Sequence, residues 1–171
     1  MFIDYAKIRV EAGNGGDGCV SFRREKFVSK GGPDGSDGGK GGDIVFVRDE
    51  NTNTLIQFRY NKLYQAEKGI NGSGKNKFGA FGKNQYIRVP LGTEIAIIQD
   101  NGNKKLFGEI TYHEEELIIA KGGSGGKGNA RFATSTNQAP RQATDGKRGQ
   151  EFELELTLKL MADVGLVGFP N

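Results

Sequence analysis

Residues 31–42 read Gly-Gly-Pro-Asp-Gly-Ser-Asp-Gly-Gly-Lys-Gly-Gly, and glycine falls at Gly32, Gly35, Gly38 and Gly41, with Gly39 and Gly42 offset beside them. Three residues per turn is the period of the polyproline II helix, which makes no hydrogen bonds within itself. A bare glycine face would let neighbouring segments approach and bond backbone to backbone instead. The spacing recurs at Gly122, Gly125 and Gly128, with Gly123 and Gly126 in parallel, and more briefly at Gly13 and Gly16, Gly15 and Gly18, Gly69 and Gly72, and Gly79 and Gly82. Flexible linkers rarely keep such a register or carry so few serines. Collagen is excluded because the register lasts only a few glycines before strand-like sequence interrupts it. The spacing predicts packed left-handed glycine helices.

Working outward, glycine supplies 28 of 171 residues and proline only 4. The length suits one domain with a buried core and leaves room for a short piece of a second. Strict alternation marks two strands: Ala6, Ile8 and Val10 against Lys7, Arg9 and Glu11, and Phe152, Leu154, Leu156, Leu158 and Leu160 against Glu151, Glu153, Glu155, Thr157 and Lys159. A period of two puts the apolar members on one face. Shorter candidates are 19–22, 43–47, 86–89, 94–98, 106–110 and 117–120, with turn signals such as Asn101-Gly102 between some of them. Only 54–64 reads as a modest helix. The expectation is a mainly β protein, a small antiparallel sandwich or barrel from which the glycine helices project.

The net charge of +3 says less than its distribution. Residues 59–88 carry seven cations against Glu67, and residues 121–148 carry six against Asp145. Both tracts are glycine-rich, whereas acids gather among the strands, at Glu114 to Glu116 and along Glu151, Glu153 and Glu155. Loops that present positive charge on an acidic body suit a polyanionic partner. Phe22-Arg23-Arg24-Glu25-Lys26-Phe27 interleaves rings with bases, which fits either a phosphate clamp with stacking or a strand whose rings face the core.

Enzymatic chemistry finds little support. Gly13 to Gly18 and Gly123 to Gly128 both fit G-x-G-x-x-G, but neither leads into the helix a dinucleotide site needs. Gly69, Gly74 and Lys75 approach a phosphate-binding loop, but Asn76 stands where a magnesium-binding hydroxyl belongs. One histidine, His113, and one cysteine, Cys19, make no Cys/His metal site, and Cys19 reads as a small core residue. The single thiol fits a reducing compartment, and no run of about eighteen apolar residues offers a membrane span.

A further set of motifs runs along the whole chain: Phe2-Ile3-Asp4, Gly15-Gly16-Asp17-Gly18, Phe22 to Lys26, Gly31-Gly32-Pro33 through Gly39 to Asp43, Phe58-Arg59-Tyr60, Val89 to Thr93, Ala120 to Gly123 through Gly128-Asn129, Arg131 to Thr134, and Ala162 to Pro170. Together they closely resemble the Obg family of ribosome-associated GTPases. Ser29, Ser36, Lys83, Leu91 and Thr157 depart from the family's usual residues. The resemblance implies an Obg domain over 1–158, a β base bearing polyproline II helices. It further implies that 159–171 hold the first strand and the start of the phosphate-binding loop of a GTPase domain. In that loop Gly168, Phe169, Pro170 and Asn171 would be the first nucleotide-binding residues.

On this reading the 171 residues hydrolyse nothing and hold no cofactor or metal, while the parent protein binds GTP and Mg2+. The implied partners are the large ribosomal subunit and its rRNA, met in the cytoplasm during late assembly by a protein expected to be monomeric, and the parent's own GTPase domain. Candidate RNA contacts are Arg23, Arg24, Lys26, Lys75, Lys77, Lys83, Lys127, Arg131, Arg141, Lys147 and Arg148. The alternative is a protein-interaction module that regulates the GTPase domain.

Overall fold

The computed structural model describes residues 3–24, 31–111 and 116–159. The strands, in chain order, are β1 (Tyr5–Glu11), β2 (Ile44–Arg48), β3 (Leu63–Gln65), β4 (Gln85–Val89), β5 (Thr93–Ile98), β6 (Lys104–Glu109), β7 (Glu116–Ala120) and β8 (Glu151–Leu158). They form a five-stranded sheet, β3-β1-β8-β5-β6, and a three-stranded sheet, β4-β2-β7. The fold is mainly β, and the described residues form no closed barrel.

The two alternating sequences lie side by side. β1 and β8 pair antiparallel with Ile8 opposite Leu154 and Ala6 opposite Leu156, so two apolar faces become one. One buried cluster joins Ile8, Val10, Ile95, Leu154 and Leu156 to Ile44, Phe46, Ile87, Val89 and Ile119 of the second sheet. Truncating the fully buried Phe46 to alanine would remove roughly 3–5 kcal/mol.

The sheets are not wholly antiparallel as expected: β1 pairs parallel with β3, and β2 parallel with β4. The connections between those partners run out through glycine segments and return, which gives the crossover length a parallel pair requires. Residues 19–22 form no strand, only an isolated bridge between Phe22 and Pro33, and Cys19 is half-buried outside the apolar cluster. The helix expected over 54–64 shrinks to α1 (Gln57–Tyr60). Ile56 at its N-cap offers no side-chain acceptor, Asn61 turns extended, and β3 takes up the residues beyond.

Beyond the sheets, six extended segments, 12–18, 35–42, 66–73, 77–83, 121–129 and 144–150, bond to one another through their backbones. Three of them form closed rings. Gly13 donates to Gly42, Gly41 to Gly123, and Gly123 back to Gly13, each at 2.9 Å. Three residues on, Gly16 donates to Gly39, Gly38 to Gly126, and Gly126 to Gly16, again at 2.9 Å. At the third level Cys19 donates to Ser36 and Asn129 to Cys19, each at 3.0 Å, but Gly35 donates at 2.9 Å to the side-chain Oδ1 of Asn129. A side chain therefore closes the last ring, and a 3-10 turn over Asn129–Phe132 ends the segment there.

Glycine is required because nothing larger fits: a Cβ on Gly13 would coincide with the Glu67 carbonyl, and one on Gly125 with that of Gly38. Segments 66–73 and 77–83 flank the rings on one side, and 144–150 flanks them on the other. Side chains occupy the donors that the rings leave over. Asn14 Oδ1 accepts from Gly149, Asp17 Oδ1 from Gly146 and Asp37 Oδ1 from Gly128, all at 2.9 Å.

Asp43 ties the bundle to the base. Its N–H bonds Asn84 Oδ1 at 2.8 Å, and its carboxylate accepts from Gly122 at 2.6 Å and from Lys40 Nζ at 2.8 Å. Burial pushes that carboxyl up, but the bonds from Lys40 and Gly122 outweigh it and hold the group below its ordinary value.

Candidate nucleic-acid interface

The rings give each candidate cation a height along the bundle. Lys83 belongs to the level nearest the sheets, its carbonyl accepting from Glu67 at 3.2 Å. Lys147 stands at the middle level, its carbonyl accepting from Gly15 at 2.9 Å, with Arg148 beside it. Lys77 and Lys127 reach the far level, through Ser73 at 3.0 Å and Thr144 at 3.0 Å. Lys77 and Lys127 thus bring positive charge to the end of the bundle away from the sheets.

Two groups of cations stand there. On one flank Arg23, Arg24, Lys75 and Lys77 line a single open cleft of about 920 Å³, with Phe22, Ser21 and Asn76. Asp34 holds its turn in shape: its Oδ2 accepts the Lys75 N–H at 3.0 Å and its carbonyl accepts the Asn76 N–H at 2.9 Å. Lys75 and Asn76 adopt φ of 61° and 56°, a left-handed pair that costs a non-glycine residue about 1 kcal/mol or more each and persists only when its surroundings impose it. The lysine side chain is therefore exposed while its backbone is fixed. Asp34 is buried, and its Oδ1 has no hydrogen-bond partner among the described residues.

On the other flank stand Lys127, Arg131 and Arg141, all exposed. Lys127 is anchored by its own N–H to Thr144 Oγ1 at 2.7 Å. Arg131 is ion-paired through Nε with Asp37 Oδ2 at 2.5 Å, so part of its charge is already matched. Lys26, Gly168, Phe169, Pro170 and Asn171 lie outside the described residues. So does all of 159–171 except Lys159, whose ammonium pairs with Glu94 and Glu109 on the base.

Sequence reasoning passed over two rings. Phe78 is 68% exposed and Phe81 78%, beside Lys77 and Lys83 on the segment that carries the first cleft. Their three-residue separation was the available signal. Among the described residues no group of three or more His, Cys, Asp or Glu side chains is placed to hold a metal ion, and no helix is long and apolar enough to cross a membrane.

The comparisons with known proteins agree with one another. The chain is 54% identical to a GTPase Obg of Chlorobium phaeobacteroides over 170 residues, which cover 99% of the chain and 51% of that protein. It is 53% identical over 171 residues to a GTPase Obg of Thermodesulfovibrio yellowstonii, covering all of the chain and 50% of the relative. A third relative, the GTPase Obg of Psychrobacter, is 55% identical over 170 residues, which span 42% of its length. The chain thus spans about half the length, or less, of these curated relatives. The family model described as GTP1/OBG matches residues 3–160, and the chain belongs to that family.

Proposed function

We propose that this chain is an RNA-docking domain that seats a GTPase of the Obg type on the large ribosomal subunit during its late assembly. The observation that carries the reading is the far-end cleft, where Arg23, Arg24, Lys75 and Lys77 converge on a turn whose backbone Asp34 fixes. A fixed backbone at Lys75 reduces the conformational cost of meeting a phosphate to that of the side chain. A rigid bundle also suits RNA, which is recognised largely through shape and backbone. The three-residue register of the rings, and Gly128 at φ −75° and ψ 163°, support reading the glycine segments as polyproline II helices.

In this reading residues 1–158 form the docking unit, and 159–171 lead into the GTPase part, with Gly168 to Asn171 at the head of its phosphate-binding loop. GTP hydrolysis and the Mg2+ it uses belong to the whole protein, as the relatives' name suggests. The protein acts as a cytoplasmic monomer.

Co-sedimentation with isolated large ribosomal subunits across a salt series tests the reading. The chain should pellet with the subunits, with log affinity falling linearly in log salt. Reversing Arg24, Lys75 and Lys77 to glutamate should weaken pelleting and flatten that slope. Unchanged pelleting in the triple variant would overturn the docking assignment.

A further inference from the structure

The segment 77–83 has three rows of residues, and its hydrogen bonds account for two. Lys77, Ala80 and Lys83 turn their carbonyls to segment 66–73, accepting from Ser73, Ile70 and Glu67 at 3.0, 2.9 and 3.2 Å. Gly79 and Gly82 face segment 35–42, donating to Asp37 at 2.9 Å and Lys40 at 2.8 Å, and a side chain at either would strike backbone. The third row is Phe78 and Phe81. A three-residue register keeps both on the side that neither neighbour covers, so their 68% and 78% exposure follows from the bonding pattern. Two phenyl rings left in water at successive repeats of a rigid segment mark a surface built for contact.

Charge selects the partner. Lys77 and Lys83 flank the rings along the same segment, Lys75 stands in the turn just before it, and Lys68 stands on the neighbouring one. Of the acids close by, Glu67 accepts the Lys83 N–H at 3.0 Å, Asp34 accepts the Lys75 N–H at 3.0 Å, and Asp37 pairs with Arg131 and accepts from Gly128, so all three carboxylates are engaged in the bundle. A ring presented among lysines suits a ligand that offers a flat apolar face and an anion together, which is an unpaired nucleotide. A polyproline II segment rises about 3.1 Å per residue, so Phe78 and Phe81 are about 9 Å apart along it. That is far beyond the separation of stacked bases, and each ring would therefore take its own splayed base while the lysines hold the phosphates between them.

The geometry points to Phe78 and Phe81 as a two-step stacking platform for single-stranded RNA, running from the lysine cleft down the flank of the bundle. This rests on the RNA-docking reading and specifies which form of RNA the flank takes. The chain contains no tryptophan, so Phe81→Trp supplies a single indole at the site, whose emission is excited apart from that of the five tyrosines.

The test titrates the full chain with unstructured oligouridine and oligoadenosine, and with a perfect RNA duplex as competitor. Phe78→Ala and Phe81→Ala should each lower single-strand affinity about tenfold. They should leave the slope against salt unchanged, because no charge is removed. The tryptophan of Phe81→Trp should be quenched by the single strand and not by the duplex. If both alanine variants bind like the parent while Lys75→Gln/Lys77→Gln binds more weakly with a shallower slope, the platform is wrong and docking stands. A tryptophan that stays unquenched at saturation would likewise overturn the platform alone. If the parent binds neither single strand nor large subunits, both readings fall. A ribosomal or other protein then becomes the partner to seek for the exposed rings.

Discussion

The amide of Gly126 donates to the carbonyl of Gly16 at 2.9 Å, and a Cβ on Gly16 would coincide with the Ile70 carbonyl on its other side. Backbone packs against backbone there, with no flexible side chain to give way. Gly16→Ala should therefore cost at least about 3 kcal/mol, the upper range for overpacking a rigid site. Among the described residues, Gly32 has nothing within 4 Å of its would-be Cβ, and its φ is not left-handed. Gly32→Ala should stay within about 0.5 kcal/mol of the parent. Urea melts of the two variants check the contrast, and equal losses would mean that the glycines act through chain flexibility.

Asn129 is fully buried and its side chain makes four hydrogen bonds with three residues: its Oδ1 accepts from Gly35 at 2.9 Å and Ser21 at 3.3 Å, and its Nδ2 donates to the carbonyls of Ser21 at 3.0 Å and Pro140 at 3.1 Å. Asn129→Asp keeps the size but leaves two carbonyls facing a carboxylate. A loss of about 3 kcal/mol is expected, on the order of 1–3 kcal/mol for each group left unpaired. Because Asn129 closes only the outermost ring, amide exchange at Gly35 should accelerate in this variant while Gly13 and Gly16 stay protected. Uniform loss of protection would show that the three rings open together.

These two sites mark how much the sequence reveals. The glycine register alone predicts a packed bundle, since a period of three with no room for Cβ has few other solutions, and the alternation at Ile8 and Val10 predicts the buried face of β1. The parallel pairings of β1 with β3 and β2 with β4 were not legible. They depend on where long connections return, which no local pattern encodes. Lys75 and Lys77 could be picked out as cations, but their convergence with Arg23 and Arg24 arises from a turn that Asp34 fixes from 41 residues away. Phe78 and Phe81 escaped notice because exposed phenylalanines are assigned to the core by composition. Only the bonding of Gly79 and Gly82 shows which row faces outward.

Glu155 shows the same limit in β8, where strict alternation assigns it to solvent. It is buried on the far face of its sheet, where Tyr5 Oη donates to it at 2.6 Å and Lys104 Nζ at 2.6 Å. Burial pushes its carboxyl up, but the bonds from Lys104 and Tyr5 more than offset this and hold it below the ordinary 4.5. A folded value below the unfolded one stabilises the protein above the unfolded value, and the contribution is lost as pH falls through the folded value. Glu155→Gln should therefore melt a few degrees below the parent at neutral pH, and the two curves should converge in acid. A gap that persists below the carboxylate range would mean that packing, not charge, accounts for the difference.

The two far-end groups of cations share no segment on the flanks. Segment 77–83 bonds to 35–42 and 66–73, and segment 144–150 bonds to 12–18 and 121–129. Changes in Lys75 and Lys77 on one side, and in Lys127 and Arg141 on the other, should then act on RNA independently, and their effects on binding free energy should add to within about 0.5 kcal/mol. Neutralising either pair to glutamine should lower the slope of log affinity against log salt by roughly one for each phosphate that no longer meets a cation. Neutralising both pairs should lower it by the sum. Arg131, already matched by Asp37, should contribute less to the slope than Lys127 does. Filter binding of the single-pair and combined variants over a salt series reads these quantities directly. A combined variant no worse than the weaker single pair would show that only one flank of the bundle meets RNA.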